Sequence, residues 1–140
     1  MINRFMCVAI VGVMLGAVIC TAAESEKEKA PVTGAEKWLV IVDEEKYGES
    51  WKEAAELFRN AVKQEQWGQT IQTVRKPLGK MVSRKVKSAS YRTSMPGAPD
   101  GEYFIIEFET TFENKKSAIE TVTPMLEKDG KWRVSGYFVK

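Results

Sequence analysis

The chain has 140 residues, 21 of them Lys or Arg and 19 Asp or Glu, giving a net charge of +2, and it contains no histidine. That near-balance argues against nucleic acid as a partner, because phosphate binding needs a clustered basic excess. The missing histidine removes the usual general base and a common metal ligand near neutral pH.

Met1–Ala23 holds one charge, Arg4, then the apolar run Phe5–Cys20, then the small residues Thr21-Ala22-Ala23. A basic start, an apolar middle and a small-residue exit form the pattern of a secretory signal peptide. The run of 16 residues is short for a span, which needs about 20. Cleavage after Ala23 places Thr21 and Ala23 at the small-residue positions; cleavage after Ala22 would use Cys20 and Ala22 instead. An uncleaved anchor and acylation of Cys20 are the alternatives. Ala17, where lipoproteins usually carry Leu, and Ile19, where they carry a small residue, fit acylation poorly. Both cysteines, Cys7 and Cys20, lie in this segment, so the mature domain is expected to lack disulfides and to be held by its core. The expectation is a periplasmic or secreted protein with no membrane contact once the signal is removed.

Residues 24–34, beginning ESEKEK, read as a flexible charged leader, and residues 35–140 as a single domain. Thr33 to Glu36 has capping-box spacing, and Ala35, Trp38, Leu39 and Val42 repeat at helical intervals behind it. Ser50 to Glu53 has the same spacing, followed by Trp51, Ala54, Ala55 and Phe58. A third helix carries Trp67, Ile71, Val74 and Leu78 and stops near Pro77 and Gly79.

Beyond Gly79 the period changes to two. Val82–Thr93 is basic and suits an edge strand. The turn-rich SMPGAPDG precedes three further strands, Glu102–Glu113, Ser117–Glu127 and Lys131–Val139. The expected fold class is α+β: three N-terminal helices packed on one face of a four-stranded antiparallel sheet, with a cone-like form. Two-residue loops at Asn114-Lys115 and Asp129-Gly130 set a register. It turns Phe104, Ile106, Phe108, Phe112, Ile119, Met125, Trp132, Val134 and Phe138 toward Trp38, Trp51, Phe58, Trp67 and Ile71. The opposite face then holds Tyr103, Ile105, Glu107, Glu109, Glu120, Val122, Leu126, Arg133 and Tyr137. Glu109 and Glu120 would face each other, needing a cation such as Arg84 or Arg92 between them.

No phosphate loop, zinc-ligand spacing or nucleophile elbow is present, and no cofactor, metal or catalytic residue is expected. Glu107, Glu109 and Glu120 have two readings: a proton acceptor or hard-cation site, and an ion-paired, partly solvated sheet face. Arg75 also has two, an anion contact and a bond to carbonyls at its helix end. The tryptophans fall on apolar stripes and read as core, though a cavity between helices and sheet would admit a small apolar ligand.

The strings YGESWKEAAELFR, VRKPLG, PGAPDGEY, ETVTPML and DGKWRVSGYF, in that order, resemble the bacterial domain-of-unknown-function family 4019 from about Ala35 to Val139. The resemblance implies an exported bacterial protein and no particular reaction. The plan is also similar to cystatin-like and nuclear-transport-factor-2-like architectures, by analogy alone. The expected function is a non-catalytic binding domain of the envelope, with the mixed sheet face meeting another protein or a second copy. The alternative is a small apolar-ligand binder, or an isomerase-like enzyme, using the interior cavity.

Overall fold

The computed structural model describes residues 19–140, with side chains from residue 26 onward. Most of the signal-like segment, residues 1–18, lies outside the described residues. The elements are α1 (Ile19–Asp43), α2 (Tyr47–Glu53), α3 (Glu56–Ala61), α4 (Gln64–Arg75), β1 (Met81–Arg92), β2 (Tyr103–Phe112), β3 (Lys115–Leu126) and β4 (Trp132–Val139). The strands form one antiparallel sheet in the order β1-β2-β3-β4, and the helices cover one face.

The helical stripe of α1 is buried as its spacing predicts: Ala35, Trp38, Leu39 and Val42 are at most 3% exposed. The helix also runs through residues 24–34, so the expected flexible leader is helical. Glu, Lys and Ala are strong helix formers, Pro31 is fully buried, and the Lys27 ammonium stands 3.5 Å above the Tyr91 ring of β1. The Thr33 capping box is therefore mid-helix and caps nothing.

The second expected helix is two. Ala54 and Ala55 are fully buried between α2 and α3, where Ala55 N donates to Val134 O at 2.8 Å. The α3 start is capped from the far hairpin, with Glu56 N donating to Glu127 Oε2. Ser50 is not a cap: its hydroxyl accepts Trp67 Nε1 at 2.9 Å and donates to Tyr47 O.

The sheet register departs from expectation by one residue in two places. The β2–β3 turn is Glu113-Asn114, so Phe112 pairs with Lys115, and after a bulge Phe108 pairs with Glu120. This turn is fixed from afar: Asn114 N donates to Leu78 O and Lys80 N to Glu113 Oε1. The shift flips β3 as a whole. The β3–β4 loop has three residues, Lys128 to Gly130, with Gly130 at φ 80. A second bulge where Thr123 and Pro124 meet Gly136 and Val134 then flips the far half of β4. Phe104, Ile106, Phe108, Phe112, Trp132 and Val134 face the helices as expected. Ile119, Met125 and Phe138 do not, and Glu120, Val122, Leu126 and Tyr137 take the inward positions.

Candidate functional site

The corrected register puts a charged network inside the layer between helices and sheet. Asp43 lies in the last turn of α1. That helix ends in a Schellman pair of bonds, Glu45 N to Val42 O and Lys46 N to Ile41 O, with Glu45 at φ 62. A carboxylate at a helix C-terminus opposes the dipole, and two guanidinium groups answer it. Arg75, in the last turn of α4, donates to Asp43 Oδ1 at 2.7 Å. Arg84, on β1, donates to Oδ2 at 2.7 Å and Oδ1 at 2.9 Å.

Arg84 also reaches inward, its Nε 2.7 Å from Glu120 Oε1. Glu120 is fully buried. The same Oε1 accepts the Thr110 hydroxyl at 2.5 Å, and Oε2 accepts the Tyr137 hydroxyl. Burial alone would raise the Asp43 carboxyl; the hydrogen bonds and charges of Arg84 and Arg75 overcome it and hold it below the usual carboxylate range. Burial and the adjacent Glu120 charge push the Tyr137 phenol well above its usual range.

Two carboxylates face two guanidinium groups, and every carboxylate oxygen is bonded. Each of the two carboxylates accepts three hydrogen bonds, and together these bonds join α1, α4 and all four strands. Around this network the layer is filled by rings: Trp38 lies 5.9 Å from Trp67 and 5.4 Å from Tyr137, and Phe104 lies 5.4 Å from Trp132. Beside it, Asp43, Arg75, Lys80 and Glu113 line a cleft of about 380 Å³. The Arg75 guanidinium stands 4.9 Å over the Phe112 ring, with Nε and Nη1 lacking hydrogen-bond partners.

The helix-free face keeps only part of the expected constellation. Tyr103, Ile105, Glu107, Glu109 and Arg133 lie on it; Glu120, Val122, Leu126 and Tyr137 belong to the other side. Tyr103 is buried there, its hydroxyl donating to Pro99 O at 2.6 Å. Glu109 pairs with Lys85 at 3.1 Å and faces Ile119, not Glu120. Arg133 bonds Glu127 at 2.7 Å and Asp129 at 2.9 Å. Of the cations considered for Glu120, Arg84 is the one that binds it.

The face gains Ile119, Thr121, Thr123, Met125 and Phe138. Phe138 is 55% exposed, while Thr121 beside it is nearly buried with its hydroxyl unpartnered. A groove of about 590 Å³ runs along the same face past Lys85, Glu109, Thr111, Lys116 and Ile119. Sequence reasoning missed Asp43 and Thr110 and mis-set Tyr137. The local signals for Tyr137 were Pro124 within β3 and Gly136 within β4, residue types that mark a bulge when they fall inside strands.

Among the described residues no group of three or more His, Cys, Asp or Glu side chains is arranged to hold a metal ion. No described helix is long and apolar enough to cross a membrane. A family model described as "Protein of unknown function (DUF4019)" matches residues 34–137. No curated protein and no solved structure matches the chain.

Proposed function

The chain belongs to the DUF4019 family, and we propose that it acts there as an exported, non-catalytic binding domain of the bacterial envelope. Its contact surface is the helix-free face of the sheet. The observation that carries this reading is Phe138, more than half exposed on that face, with the half-buried Ile119 diagonal to it on β3 and the half-buried Ile105 farther along the face on β2. An exposed aromatic among partly buried aliphatic residues, rimmed by ion pairs, has the composition of a protein interface core with its polar rim.

The partner is a protein presenting apolar side chains to Phe138 and Ile119 and charges of both signs to the Lys85–Glu109 and Lys87–Glu107 pairs. Bonded carboxylates and packed rings in the interior support an outer surface over an internal ligand site. The Met1–Ala23 pattern supports export.

A photo-crosslinking residue in place of Ile119, in cells, tests the reading. A discrete adduct is expected from position 119 and from position 105, and none from Val40, which is 50% exposed on α1. Adducts equal at all three positions, or absent from both sheet positions, would overturn it.

A further inference from the structure

The two edges of the sheet are not alike. The β1 edge is guarded by Lys85, Lys87 and Arg92 and by bulges at Met81/Ser83 and Val86/Ser88, the usual defences against strand pairing. The β4 edge contains no lysine and no proline between Trp132 and Val139. Its first half is covered. Val134 O accepts Ala55 N at 2.8 Å, and Gly34 of α1 sits so close to Trp132 O that an added Cβ would lie 3.3 Å from it.

The second half is open. Lys140 and Ile119 exchange both main-chain bonds, so by the antiparallel alternation Phe138 and Gly136 also turn their main-chain groups toward β3. The N–H and C=O groups of Tyr137 and Val139 therefore point away from β3. On that side no strand pairs with β4 among the described residues.

We propose that a second copy of this chain pairs there, β4 antiparallel to β4, about a two-fold axis at Phe138. The edge is complementary to itself. Tyr137 of one copy and Val139 of the other would exchange two main-chain bonds, and the symmetry supplies two more. Phe138 would then be a non-hydrogen-bonded pair with its own symmetry mate, Cα atoms about 4.5 Å apart, both rings on the helix-free face. That pairing accounts for an aromatic ring left 55% exposed in one copy. Charge permits it: Lys140 falls opposite Gly136 of the other copy, and Arg133 lies beyond the paired stretch. The result is one eight-stranded sheet with a continuous helix-free face.

Sedimentation velocity of the purified full chain over a micromolar concentration series should show a dimer. Phe138→Lys places two ammonium groups across the axis and should give a monomer. Val139→Pro should do the same by removing an edge N–H that β3 does not use. In a Cys7→Ala, Cys20→Ala background, Phe138→Cys should form an intermolecular disulfide on mild oxidation. Val82→Cys, more open still at 63% exposure on the guarded edge, should not. A chain monomeric throughout the series would overturn the proposal. So would a dimer that survives both substitutions, or disulfide formation no faster at 138 than at 82.

Discussion

Arg84 Nε donates to Glu120 Oε1 at 2.7 Å, and this contact fastens the basic edge strand to the third strand through the layer beneath the second. Arg84 is 10% exposed and Glu120 not at all, so neither charge has water to fall back on. Removing one partner of such a pair leaves the other buried and uncompensated, at a cost of about 3–5 kcal/mol. Arg84→Met should lower unfolding free energy by that order in urea titration. The Arg84→Met, Glu120→Leu double variant should recover part of the loss, because it no longer leaves the Glu120 charge buried without a counter-ion, while Asp43 keeps Arg75. A double variant as unstable as the two single losses added would mean the groups act independently.

The same network predicts an acid limb. The Asp43 carboxyl is held below its ordinary value in the folded protein, so the folded state binds fewer protons there than the unfolded state. The stability it adds is fully present above the ordinary aspartate value of about 3.9 and is lost as pH falls through the lower folded value. The difference in unfolding free energy between wild type and Asp43→Asn should be largest near neutrality and narrow below about pH 4. A difference constant down to pH 3 would place the carboxyl's stabilisation elsewhere.

Two glycines separate conformational strain from steric strain. Gly79 and Gly130 both have positive φ, at 75 and 80. A Cβ on Gly130 meets nothing within 4 Å, whereas one on Gly79 would lie 3.0 Å from Glu113 Cβ and 3.1 Å from Asn114 Nδ2. Gly130→Ala should cost about 1 kcal/mol. Gly79→Ala should cost about 1 kcal/mol more, because it also displaces the turn that sets the phase of β3. Thermal melts of the two variants measure the difference.

Which parts of this fold were legible follows from the range of the forces that set them. The α1 stripe Ala35, Trp38, Leu39 and Val42 was readable because helical period is a local property. The alternation Phe104, Ile106, Phe108 was readable for the same reason in a strand. The turn at Glu113-Asn114 was not, since its position is fixed by Leu78 O and Lys80 N, more than 30 residues away in sequence. The cost of that slip was large: Glu120 and Tyr137 moved from a supposed docking face into the interior network. Residues 24–34 misled differently, because their charges suit solvent while Pro31 and Lys27 dock on the domain.

The phase of β3 and β4 carries everything said of the helix-free face, and thiol reactivity reads it residue by residue. In the Cys7→Ala, Cys20→Ala background, single cysteines at 119 and 138 should react with maleimide in the native protein. Cysteines at 122 and 134, where Val122 and Val134 are at most 1% exposed, should react only on unfolding. Rapid labelling at 122 with protection at 119 would reverse the sheet and contradict the account.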